Sequence, residues 1–360
     1  MMESNANRGR MKRLLLIVAG IALGLFFLYL TFRDISLADL TDGVKEMKIV
    51  YLAPSVLLIL VIQLVRALRF GLIVSPFCQI GTKDLWDMMN LWAGASMIMP
   101  ARLGELVRPY LLKERGAAFS SGVGAVMVER FFDLSGLLLL SGLVLWTTPE
   151  IPKQYSIFGA LAVGFLVIGY AAILVTLAKR PKVEAIVTAI LSALPGKVAQ
   201  FLDGIFRRLL DGFGIMASFR QVLVIFGYSV LLWVLFSGLT YLFLLAFSIK
   251  APFLVAVTIQ VFICFGVALP SAPGFIGTFH IACRTALAIF GVHAVAAVSF
   301  AAMYHLFSVI MCLLLGLISY LTCGFYFDRK LFSTREERAA TAEPSLDLAA
   351  SKDVSSTAAK

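Results

Sequence analysis

Apolar runs long enough to cross a bilayer, separated by short charged breaks, constrain this chain more than any motif. Leu14–Phe32, Ile49–Val65, Gly122–Trp146, Ser156–Ala178, Val222–Phe247 and Val295–Cys323 each approach or exceed the length a bilayer core demands of a helix, about 17–25 residues. Sixty per cent of the 360 residues are hydrophobic and only 14 per cent are charged, against about a quarter in soluble domains. Too little polar surface remains to cover a water-soluble fold, which excludes a soluble enzyme, a nucleic-acid-binding module and a disordered chain. The formal net charge of +10 does not reopen the nucleic-acid option, because the basic residues flank apolar spans. Topology and anionic lipid headgroups account for them.

The breaks give the layout. Arg8, Arg10, Lys12 and Arg13 precede the first run, which is read as an uncleaved span behind a basic cytoplasmic N-terminus, residues 1–13. Two apolar pieces are short. Leu85–Met99 ends at Pro100 and is followed by charges, and Phe253–Leu269 ends in Pro270-Ser271-Ala272-Pro273-Gly274 before a second piece, Ile281–Val292. Fifteen residues of helix rise about 22 Å, short of a core of about 30 Å. The expected fold is therefore an all-α polytopic membrane protein with about six full spans and two re-entrant broken-helix pairs entering from opposite faces. That arrangement resembles inverted-repeat transporters. Eight conventional spans also put both termini in the cytoplasm, so parity leaves the choice open and length favours six plus two.

Counting positive charges places only Arg33, Lys45, Lys48, Lys153 and Lys250 outside, which puts both termini inside an inner, cytoplasmic membrane. The transmembrane domain is expected over residues 14–325. Within it Val198, Phe201, Leu202, Ile205, Leu209 and Phe213 recur at helical spacing, predicting an interfacial helix over 196–215. The tail, 326–360, has no hydrophobic period and reads as disordered.

Charged residues at membrane depth carry the chemistry, because each is costly unless paired or hydrated. Arg102, Glu105 and Arg108 lie at i, i+3 and i+6 beside Pro100 and Gly104. On a helix they cluster along one side, suited to a phosphate-type anion gripped by arginine forks; as a loop they are merely solvated. Glu129, Arg130 and Asp133 sit inside a span, as a structural ion pair with Arg102 or Arg108, as a proton or charge coupler, or as both. A helix opening at Thr278 after Gly274 and Gly277 aims backbone N–H groups inward, with Arg284 two turns along. His280 is either an interhelical hydrogen bond or a proton-responsive group. Arg66 and Arg69 close the second span and are expected to snorkel to headgroups, the alternative being that they line a site.

Five cysteines without a CxxC pair read as small buried hydrophobes,. His280, His293 and His305 lack ligand spacing, and no Gly-rich phosphate loop, dinucleotide fingerprint or HExxH occurs,. No metal, cofactor or catalytic residue is expected.

Met99-Pro100-Ala101-Arg102-Leu103-Gly104-Glu105 with Arg108, Glu129-Arg130-Phe131-Phe132-Asp133, the Pro270–Gly277 segment and Gly291-Val292 together resemble the flippase-like transmembrane domain of lysylphosphatidylglycerol synthases. The resemblance covers most of residues 14–325 in matching order. It implies movement of a lipid-linked headgroup between leaflets, such as an aminoacylated phospholipid or a polyprenyl-phosphate sugar. His280 stands where many members carry an acid, which puts acid-dependent coupling there in doubt. With about 35 residues after the last span and no aminoacyl-transfer domain among them, a stand-alone member is expected.

The leading expectation is a lipid translocase, not an enzyme, whose partners are membrane lipids and a possible separate synthase or glycosyltransferase. In it Arg102, Glu105, Arg108, Gly274, Gly277, Thr278 and Arg284 bind substrate, and Glu129, Arg130, Asp133 and His280 balance charge. The alternatives are an integral-membrane enzyme acting on lipid phosphates, with Glu129 or Asp133 as base, and a non-transporting partner of a glycosyltransferase.

Overall fold

The computed structural model describes residues 22–33, 35–147, 179–213, 219–268 and 272–323, together with 164 and 168–169. Residues 1–21, most of the span expected over Ser156–Ala178 and the tail from 324 onward lie outside them. Among the described residues there are helices and turns but no strand. In chain order the helices are α1 (Ala22–Phe32), α2 (Leu37–Lys45), α3 (Leu52–Val74), α4 (Thr82–Ile98), α5 (Val107–Glu114), α6 (Phe119–Thr147), α7 (Arg180–Leu191), α8 (Gly196–Phe213), α9 (Phe219–Ala246), α10 (Phe253–Ala268), α11 (Thr278–Ile289) and α12 (Ala294–Thr322).

Local chemistry sets several of these boundaries. The Asp39 N–H donates to Ser36 Oγ at 3.1 Å and the Ser36 N–H donates to the Asp39 carboxylate at 3.3 Å, a reciprocal cap that starts α2. Pro54 sits in the first turn of α3, where its missing N–H costs nothing,. Pro100 ends α4 and opens a 3-10 turn over Pro100–Leu106, because Met99 before it is held extended (ψ 129°),.

Three segments, Ile49–Val74, Arg220–Ala246 and Ala294–Thr322, are long and apolar enough to cross a membrane. At 29 residues α6 is also long enough, rising about 43 Å, but it carries three charges. The side-chain distribution on α12 is that of a helix in lipid. Leu306, Ile310, Leu313, Leu314, Leu317 and Leu321 are exposed, whereas His305 and Ser319 are buried. Apolar outside and polar inside inverts the soluble pattern and suits a hydrocarbon solvent. An apolar core joins α3, α9, α10, α11 and α12 through Ile62, Phe243, Ile259, Phe279, Phe300 and Tyr304.

Both short apolar pieces double back. The turn after α4 folds onto it so closely that a Cβ on Gly104 would lie 2.6–2.7 Å from Ser96. Likewise α11 folds back along α10, where a Cβ on Gly266 would meet Thr278 O at 2.8 Å. The two bends meet: the place a Cβ would take on Gly274 is 3.5 Å from Met97 O at the end of α4. Gly277, in the left-handed region at φ 89°, lets α1 cross the second bend with Gly24 O against its α-carbon,.

The second span differs from expectation. It runs on to Val74, since Ala67, Leu68, Phe70 and Leu72–Val74 keep it apolar beyond the two arginines. Arg66 and Arg69 are therefore interior residues of α3 and do not snorkel from its end.

The Gly277 contact yields a test. Gly277→Ala forces a Cβ into the Gly24 carbonyl at positive φ and should cost at least about 1–3 kcal/mol. Gly142→Ala, at a site with no atom within 4 Å, should leave stability unchanged or raised by up to about 1 kcal/mol. Thermal unfolding of the detergent-purified protein reads both.

Candidate functional site

The charged residues of the first half converge on α6. Arg69, from α3, donates to Glu129 at 2.7 Å, to Asp133 at 2.5 Å and to Ser229 Oγ on α9 at 2.8 Å. Arg108, at the start of α5, donates to the other Glu129 oxygen and to Glu105 at 2.7 Å. Arg130 closes the ring, reaching Glu105 at 3.1 Å and Asp133 at 3.2 Å. Arg69, Arg108 and Glu129 are 2, 0 and 1 per cent exposed, so the core of the network is taken from solvent and held by pairing alone.

Each oxygen of the three carboxylates accepts from at least one arginine, and Glu105 Oε2 accepts from two. Glu129 and Asp133 do share a face, and Arg69 bridges them. Arg130 points to their flank and ties α6 to the Pro100–Leu106 turn. The pairing between Glu129 and Arg108 is the one the sequence offers. The side chain of Arg102 lies outside the described residues.

Trp92, on α4, is the centre around which the guanidinium groups gather. Arg108, Arg66 and Arg130 lie 4.2, 5.1 and 5.5 Å from its ring centroid. Arg66 is further clamped against Phe236 of α9 at 4.8 Å and donates to Gln63 at 3.0 Å. Gln63 in turn donates to Asn90 on α4, and Asn90 to Ser319 on α12. This polar thread runs from the charged network to the last span.

The second-half residues sit elsewhere. Thr278 is buried at the start of α11, with its hydroxyl on Phe275 O at 3.2 Å. The Gly277 N–H faces His280 Nδ1 at 3.4 Å. The His280 ring packs edge-on to that of His305 at 4.7 Å, and it is His305 Nε2 that bonds the Gly274 carbonyl, at 2.7 Å. Arg284 donates to Leu30 O at 2.9 Å and to Thr31 O, favourable contacts for a cation at the C-terminal carbonyls of α1. The fold thus brings together Glu105, Arg108, Glu129, Arg130 and Asp133, and holds Gly274, Gly277, Thr278, His280 and Arg284 around the second bend. Arg66 and Arg69, expected to snorkel rather than to line a site, lie with these groups, and Trp92 is the residue beside them that the sequence did not single out. Two carboxylates inside a span demanded buried cations, and that demand was the signal for Arg69.

Removing Glu129 strips both Arg69 and Arg108 of a partner, so Glu129→Ala should destabilise the protein by about 3–5 kcal/mol. Arg130→Ala removes a half-exposed cation and should cost about 1 kcal/mol or less. Chemical unfolding in detergent separates the two; equal, small effects would mean the network does not hold the helices together.

Residues 17–316 match the family described as the lysylphosphatidylglycerol synthase TM region. A UPF0104 membrane protein of Methanothermobacter thermautotrophicus is 27 per cent identical over 279 residues, covering 73 per cent of this chain and 81 per cent of that protein. A second UPF0104 membrane protein, of Methanocaldococcus jannaschii, is 42 per cent identical over 77 residues, 20 per cent of this chain and 33 per cent of that one. Matched over most of its length and built of apolar helices, the chain is a multi-pass membrane protein that belongs to the lysylphosphatidylglycerol synthase transmembrane-region family.

Proposed function

We propose that this protein moves a phosphate-bearing or lipid-linked headgroup from one leaflet to the other. The observation that carries the proposal is the buried arginine–carboxylate network beside the point where two doubled-back helix pairs abut. Such a network is expensive inside a membrane, and transporters place their sites where broken helices meet near the midplane. Membership of a family described by a lipid synthase's membrane region points to the same class of substrate.

In this proposal residues 14–325 form the transporting domain, with α4–α5 dipping from the cytoplasmic side and α10–α11 from the other. The amphipathic α8 rests in the cytoplasmic headgroup layer, and both termini are cytoplasmic. Arg102 holds the headgroup at the first bend with Arg108, buried and paired to Glu129, behind it, and the Gly274–Thr278 backbone and Arg284 frame it from the second. Glu105, Glu129, Arg130 and Asp133 balance charge as the halves rock, so no charge is left bare in hydrocarbon; His280 adjusts the second bend. A separate synthase or glycosyltransferase would supply the lipid.

Reconstitution into vesicles carrying a headgroup-labelled anionic phospholipid tests this. The wild-type protein should accelerate loss of the inner-leaflet label's protection from a membrane-impermeant reductant added outside. Arg102→Ala should slow it by about tenfold or more, the worth of one charge-assisted hydrogen bond, while remaining monodisperse. Vesicles no faster with protein than without it would sink the proposal.

A further inference from the structure

Counting the described side chains, Arg66, Arg69, Arg108 and Arg130 face Glu105, Glu129 and Asp133, so one positive charge is uncompensated. It is Arg66 that has no carboxylate partner. Its bonds and contacts are with Gln63 Oε1 and the rings of Trp92 and Phe236, and it is half-buried. The carboxylate oxygens are already taken by the other three arginines.

The hydrogen-bond inventory is lopsided in the same direction. Among the described residues five buried side-chain polar atoms lack a partner, and three of them belong here: Trp92 Nε1, Arg69 Nε and Arg108 Nε. All three are donors. Trp92 is only 7 per cent exposed, and an indole can donate but not accept. A surplus of buried donors together with one surplus positive charge specifies the missing partner as an anionic acceptor, since each unmet donor otherwise carries its full desolvation cost.

We infer that Arg66 and the Trp92 indole N–H form an anion subsite for a singly charged phosphodiester, with Arg69 and Arg108 as the scaffold behind it. Among the described side chains one negative charge balances the cluster and a second would exceed it. Arg66 packs against two aromatic rings and spends one N–H on Gln63, and a guanidinium has five N–H donors in a planar fork that matches two phosphate oxygens. Trp92 is an unpartnered donor beside it, its ring centroid 5.1 Å from the Arg66 guanidinium carbon. The inference rests on the proposed translocation of a phosphate-bearing lipid and names the chemistry of the group that would be held. Both a glycerophospholipid and a polyprenyl-phosphate sugar carry this phosphodiester.

Native mass spectrometry of the full chain in detergent tests it with four lipid probes: phosphatidylglycerol, a polyprenyl-phosphate hexose, phosphatidic acid and a phosphate-free glycolipid. At least one of the two diesters should bind more tightly than the glycolipid, and which one binds identifies the source. Arg66→Gln should weaken that binding by about tenfold or more. Trp92→Phe, which keeps the ring stack and deletes the N–H, should weaken it about threefold to tenfold. Arg66→Lys, which keeps the charge and loses the fork, should fall between wild type and Arg66→Gln. A thermal melt of each variant confirms that it is folded.

Wild-type affinity in both Arg66→Gln and Trp92→Phe would overturn the subsite, as would equal binding of the glycolipid or a tenfold preference for the phosphate monoester. Diester binding that the two variants abolish, in a protein that moves no headgroup in vesicles, would leave the subsite standing and remove the translocase. Headgroup movement undiminished in Arg66→Gln would do the reverse.

Discussion

Glu129 is the residue the first half of the protein is organised around. It lies in the interior of α6, and its two oxygens accept from Arg69 of α3 and Arg108 of α5, so three helices meet at one carboxylate. In hydrocarbon no solvent is available to screen or replace these pairs, and any helix that shifts alone leaves a bare charge behind. The apolar contacts can slide; this junction cannot. Arg130 and Asp133 extend it toward the Pro100–Leu106 turn, so the placement of the first bend depends on it too.

The second half is fixed by different means. At its bend the ties are backbone contacts and ring stacking: His305 on the Gly274 carbonyl, the His280–His305 pair, and Gly277 against Gly24. The two bends therefore touch with unlike character, one charged and one made of backbone carbonyls, glycines and imidazoles. A polar thread of Gln63, Asn90 and Ser319 connects the charged side to α12. This gives the network a route to the helix that carries His305.

The membrane class, the helical fold, most helix boundaries and the convergence of Glu105, Arg108, Glu129 and Asp133 were legible in the sequence. Apolar run length and the cost of intramembrane charge determine them directly. The end of α4 at Pro100, after an apolar run too short to span, was legible as well. Arg69 was not, because an apolar run that stops at Val65 makes the next arginines look terminal; the helix continues because Phe70, Ile73 and Val74 are apolar again. Trp92 was not legible either. Nothing in spacing distinguishes a core indole from one that three arginines surround, since those arginines come from α3, α5 and α6. The sequence placed Arg284 on the helix that opens at Thr278, but its reach to the end of α1 depends on a crossing that no local pattern encodes.

As a headgroup site the arginine network is complete only with an acceptor from outside the chain. A high-resolution electron cryo-microscopy structure in nanodiscs of anionic phospholipid would show that acceptor. A headgroup phosphate should lie within hydrogen-bond distance of Arg66 and Trp92 Nε1, with Arg69 and Arg108 still paired to Glu129. Ordered lipid confined to the outer apolar faces of α9 and α12, with Arg66 satisfied by a carboxylate of the chain itself, would contradict it.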